Sequence, residues 1–167
     1  MNNSEIRIYG DPVIRESSAA IDSIDQKVKK LSTRMARIMR DAAGVGLAAP
    51  QIGILRQLVV VELGEEEGHV AYVNPRILEY SKNTEVGEEG CLCVPGLYVP
   101  VKRSTEIVFE AVDLQGRVVR MRARDLLARV LQHEVDHLSG MTIMERTDAA
   151  HRREAVDKLI EAGDRGY

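Results

Sequence analysis

The stretch TEIVFEAVDLQGRVVRMRARDLLARVLQHEVDHL (residues 105–138) decides the fold class. In its first eight residues Ile107, Phe109 and Ala111 alternate with Glu106, Val108 and Glu110, the period of a strand with one buried face. DLQG at 113–116 has turn chemistry and RVVRMR at 117–122 returns, so this part reads as an antiparallel hairpin. The period then changes. Leu126, Leu127, Val130, Leu131 and Leu138 supply an apolar side over 124–138, and Gly140 stops the run, which predicts an amphipathic helix. A hairpin feeding a helix, with no parallel βαβ unit around it, belongs to an α+β domain.

The same reading extends outward. Over 23–43, Ile24, Val28, Leu31, Met35, Ile38 and Ala42 recur at helical steps with Lys27, Lys29, Lys30, Arg34 and Arg40 opposite. Ser23 is the expected cap, and the helix closes near Gly44. QLVVVEL at 57–63 reads as a strand, 64–68 as an acidic turn, and 69–73 as the hairpin partner. A last helix is expected over 148–162, capped by Thr147, with Val156, Leu159 and Ile160 on its face. No repeat, low-complexity tract or Pro/Gly-rich linker divides the chain, so residues 1–167 read as one domain.

Composition narrows the function classes. With 23 basic and 26 acidic residues, nothing points to nucleic acid or to anionic lipid. No apolar run is long enough to span a membrane, and MNNSEIRIYG lacks a secretory leader, so a cytoplasmic protein is expected. There are two cysteines, Cys91 and Cys93. A disulfide across one intervening residue would be strained in an extended segment, so both read as reduced thiols.

Three segments could carry chemistry. His133-Glu134-Val135-Asp136-His137 places two imidazoles one turn apart on one helix face, where both can reach one metal ion, with Glu134 near enough to handle a proton. The pattern fixes only three positions, so a satisfied structural pair is the bland alternative. A catalytic site also needs a third ligand and an open position. Candidates are His69, His151, Asp136, the many Glu, and the thiols in EEGCLCVPG at 88–96. There, strand alternation would put Cys91 and Cys93 on one side and Leu92 on the other. Each thiol reads equally well as a ligand or as a buried apolar group. GVGLAAPQIG at 44–53 is neither a dinucleotide fingerprint nor a P-loop. It is either a helix cap with a tight turn, or a pocket wall whose backbone meets an extended substrate, with Gln51 as donor.

Taken together, GVGLAAPQ at 44–51, EGCLCVP at 89–95 and QHEVDH at 132–137 resemble, in order, the three signature blocks of the peptide deformylase family. The opening IYGDPVIR at 8–15 is also similar to the family's start, and the likeness runs to about Ile143. The resemblance implies antiparallel or mixed sheets packed around a central HExxH helix, with an N-terminal and a C-terminal helix. It implies a metal-dependent hydrolase that removes the formyl group from N-formylmethionyl nascent peptides beside the ribosome, in the cytoplasm.

Carried over by position, Cys91, His133 and His137 would hold one divalent ion, expected to be Fe2+, with Zn2+, Ni2+ or Co2+ able to replace it. Glu134 would be the general acid/base. Gln51 and the Leu92 backbone N–H would meet the oxyanion, and Gly46 would contact the substrate backbone. Val45 and Val130 are candidate pocket walls, and Glu89 is expected to pair with Arg103. One departure stands out: Cys93 occupies the position where the family usually has Ser. The alternatives are a general metallopeptidase, a catalytically impaired deformylase-like protein, and a closed structural metal site with Cys93 as fourth ligand.

Overall fold

The computed structural model describes residues 5–64 and 68–164; the expected turn at 64–68 therefore lies, for residues 65–67, outside the described residues. Helix α1 (Gln26–Asp41) leads into a short strand β1 (Gly46–Ala48) and a 3-10 turn (Ala49–Ile52). Strands β2 (Leu58–Val61), β3 (Val70–Tyr80), β4 (Thr84–Cys91), β5 (Val94–Ser104), β6 (Glu106–Val112) and β7 (Val118–Arg124) follow. Helix α2 (Asp125–Leu138), the short α3 (Ile143–Arg146) and α4 (Ala149–Asp164) complete the chain. Five strands form one sheet in the order β1-β2-β3-β6-β7, and β4-β5 form a second; every named pair is antiparallel.

The alternation in β2 explains how the large sheet is clad. Leu58 and Val60 pack with Met35, Ile38 and Met39 of α1, whereas Val59 and Val61 pack toward Ala128 and Leu131 of α2. The sheet is thus buried on both faces at this end, which is why LVVV at 58–61 is continuously apolar. A third cluster holds β4-β5: Cys93, Val94, Val99 and Val101 meet Ile14, Ile143, Met144 and Ala155. Helix α2 therefore lies between the large sheet and the β4-β5 hairpin, as the resemblance implied.

The boundaries correct the sequence reading in several places. The cap of α1 is Asp25, whose carboxylate accepts from the Lys27 and Val28 N–H groups, not Ser23. The left-handed residue after the helix is Ala43 (φ 54°) rather than Gly44, where an added Cβ would crowd Leu92 Cδ1 at 2.9 Å. Asp148, not Thr147, caps α4, accepting from the Ala150 and His151 N–H groups. Ile160 on that helix is exposed, so its buried side is narrower than expected. Strand β3 continues past Val73 to Tyr80. Asn74 (φ 49°) bends it there, its side-chain amide clamped to both the N–H and the C=O of Ile21. The register shifts between Val73 and Arg76, so Asn74-Pro75 forms a bulge in a long strand.

Candidate active site

Helix α2 turns one side to the sheet through Ala128 and Leu131 and the other to a cavity of about 850 Å³. His133 and His137, one turn apart, stand on the cavity side with ring centroids 5.0 Å apart. Their Nε2 atoms approach to 3.2 Å, and Cys91 Sγ, from the end of β4, lies 3.4 Å from His137 Nε2. Among the described residues, Cys91, His133 and His137 are the group whose donor atoms all lie within 4.8 Å of one another. One sulfur and two imidazole nitrogens aimed at a single point suit a borderline-soft divalent ion. Burial, with the charge of His133 next, holds His137 well below its ordinary pKa, so it stays a neutral donor. The neighbouring Cys93 sulfur and burial keep the Cys91 thiol protonated in the free chain; a bound cation reverses that.

The orientation of His133 is set from behind. Its Nδ1 donates to Glu89 Oε2 at 2.9 Å, which turns Nε2 toward the centre. Glu89 is gripped by Arg103 through Nε and Nη2 (2.9 and 3.0 Å), confirming that expected pair. Arg103 Nη1 also donates to Asp136 at 2.6 Å, and Asp136 takes two bonds from Arg146. Burial alone would raise Glu89, but hydrogen bonds from His133 and Arg103 win and hold its carboxyl at about 2.

Glu134 faces Gly46 across the site. A Cβ at Gly46 would overlap Glu134 Oε1, so the absence of a side chain there makes room for the carboxyl. Burial pushes the Glu134 carboxyl up to about 7, and its Oε2 has no hydrogen-bond partner among the described residues. A buried carboxyl poised near neutrality and lacking a partner is the property a proton carrier needs. Gln51 sits buried in the 3-10 turn, where its Oε1 accepts from the Ala48 N–H at 2.7 Å. That bond fixes the amide so that Nε2 faces the sulfurs, 3.6 Å from Cys91 and 3.3 Å from Cys93.

The structure brings the expected residues together. Val45, Gly46, Gln51, Cys91, Leu92, Val130, His133 and Glu134 all line the cavity. Cys93 does not: it is fully buried in the third core cluster. Its sulfur nevertheless lies on the side of Cys91, as alternation implied: Gln51 Nε2 reaches both sulfurs, and Leu92 packs against a different cluster. His69 lies beside Arg40, and His151 is bonded to Asp148 on an exposed helix turn; neither belongs to the donor group. The sequence reading missed the bracing role of Asp136 and Arg146. It also missed the apolar mouth formed by Ile6, Ile8, Leu97, Tyr98 and Leu126. The only local signal for Asp136 was a second acid inside the helix, three residues after a ligand.

An α+β domain whose HExxH helix and one thiol present three ligand atoms to an accessible cavity, beside a carboxyl tuned near neutrality, defines a metal-dependent hydrolase. The polypeptide deformylase family model matches residues 3–153. Peptide deformylase from Dictyoglomus thermophilum is 49% identical over 142 residues, covering 85% of this chain and 91% of that protein. The crystal structure of peptide deformylase from Thermotoga maritima superposes with a TM-score of 0.82 at 42% identity, covering 86% of this chain and 96% of that one. The enzyme from Synechococcus elongatus in complex with actinonin gives a TM-score of 0.87 at 37% identity, covering 92% and 84%. The chain belongs to the peptide deformylase family: it is a metal-dependent enzyme that removes the formyl group from N-formyl nascent peptides. Nothing in the site favours a catalytically impaired relative.

Proposed function

We propose that Cys91, His133 and His137 hold one divalent ion, Fe2+ in the cell, and that the chain deformylates N-terminal formylmethionine in the cytoplasm beside the ribosome. The observation that carries the ligand assignment is the convergence of Cys91 Sγ and the two Nε2 atoms within 4.8 Å. When bound, such an ion polarises a carbonyl and acidifies water to near neutrality. Among the described residues no helix is long and apolar enough to cross a membrane.

The residues around the ion divide the remaining work. Glu134, with its carboxyl near 7, takes a proton and returns it to the leaving amine. The Gln51 amide, held by Ala48, and the Leu92 backbone N–H meet charge developing on the formyl oxygen. Gly46 and Val45 form one wall and Val130 the other, leaving an apolar path for the methionine side chain. The peptide backbone lies extended along Gly46, which gives little preference beyond the first residues. Formate release from formyl-Met-Ala by anaerobically purified protein tests this reading. Release that is lost with chelator, and absent with acetyl-Met-Ala, supports it; chelator-insensitive release or equal action on the acetyl peptide contradicts it.

A further inference from the structure

Among the described residues Arg129 is the one arginine or lysine lining the cavity, and the proposed mechanism leaves it without a role. It stands one turn before His133 on the same face of α2. Its guanidinium is largely buried and fixed at three points: Nη1 donates to Glu89 Oε1 (2.8 Å) and to Val101 O (3.0 Å), and Nη2 to Glu85 O (3.0 Å). It thereby crosses both strands of the β4-β5 hairpin where Gly87 pairs with Val101. A Cβ on Gly87 would lie 3.0 Å from both Cζ and Nη2 of Arg129. The glycine is the groove in which the guanidinium rests.

We propose that Arg129 is a positioning residue for the metal centre, locking the Glu89 carboxylate that orients His133. The proposal rests on the reading of His133 as a ligand. With Arg129 in place each Glu89 oxygen takes two donors: Oε1 from Arg103 and Arg129, Oε2 from Arg103 and His133. Arg103 alone cannot complete this arrangement, because it also serves Asp136. Without Arg129, Oε1 has a free acceptor site, the carboxylate can rotate about its grip on Arg103, and the His133 imidazole loses its fixed aim. Partners that orient a ligating imidazole typically account for about 10–100-fold in metal affinity.

Co2+ is the probe for the test, bound to full-length protein and titrated against a chromophoric chelator, with visible spectra recorded. The underlying reading is checked first. Wild type should take up one Co2+ with a thiolate-to-cobalt band that Cys91→Ser abolishes; failure here sinks the ligand assignment itself. Given that band, Arg129→Met and Gly87→Ala should each weaken Co2+ binding about 10-fold and shift the d–d bands. Their double variant should bind no more weakly than Arg129→Met alone, since the added methyl then has nothing to displace. If Arg129→Met does not fold, Gly87→Ala carries the test with the same expected loss. Affinities within two-fold of wild type, or losses that multiply in the double variant, overturn the proposal while leaving the ligand assignment standing.

Discussion

Glu134 carries the sharpest single-residue expectation. Its carboxyl sits at about 7 because burial destabilises the anion, and it is not among the three converging donors. Glu134→Ala should retain the metal and lose about 10²–10⁴ in turnover, measured as formate release together with metal content. Near-normal turnover would show that the proton travels elsewhere. Gly46 is the complementary case: Gly46→Ala forces a methyl into Glu134 Oε1, so formate release should fall sharply while metal content holds. The convergence of His133 and His137, with Glu134 beside them, was legible because a helix converts spacing into direction. Cys91 became legible only beside the other two blocks, since a thiol in a turn has no periodicity to betray it. The shared side of Cys91 and Cys93 was legible from alternation, and Gln51 Nε2 reaches both sulfurs; the full burial of Cys93 was not, because it depends on packing against Ile14, Ile143 and Met144 from distant parts of the chain.

At the scale of elements, the β4-β5 hairpin does as much as α2. It supplies the Cys91 sulfur of the converging donor group, and Glu89 and Arg103 as the brace behind His133. Its sequence hid it: β4 is rich in Glu and Gly, and β5 contains Pro95 and Pro100. By contrast β6-β7 was plain, since Ile107, Phe109 and Ala111 alternate cleanly and Gly116 (φ 83°) closes the turn. The hairpin's brace makes stability depend on acid. Glu89 titrates at about 2 folded against an ordinary 4.5, so over that interval the unfolded chain binds more protons than the folded one. The stabilisation is complete above 4.5 and fades as pH falls toward 2. Urea unfolding of chelated protein should show this acid slope in wild type and a shallower one in Glu89→Gln; identical slopes would place the acid sensitivity elsewhere.

For the whole molecule, the proposed ligands come from two elements that meet only in the folded state, β4 and α2. Metal should therefore bind the native chain far better than the unfolded one and stabilise it by mass action. At free metal near 100 times Kd the gain is about 2.7 kcal/mol, or roughly 5–10 °C in Tm for a domain of this size. Scanning calorimetry with and without chelator checks this, and Cys91→Ser should shrink the difference. The α+β class was readable from the change of period at residue 124, whereas the two-sheet arrangement was not, because it rests on pairings between strands distant in sequence, such as β3 with β6. The most direct measurement is X-ray absorption at the metal edge of anaerobically purified protein. The account predicts one sulfur and two imidazole nitrogens, with the remaining coordination from light solvent atoms. Two sulfurs, or no sulfur, around the ion would contradict it.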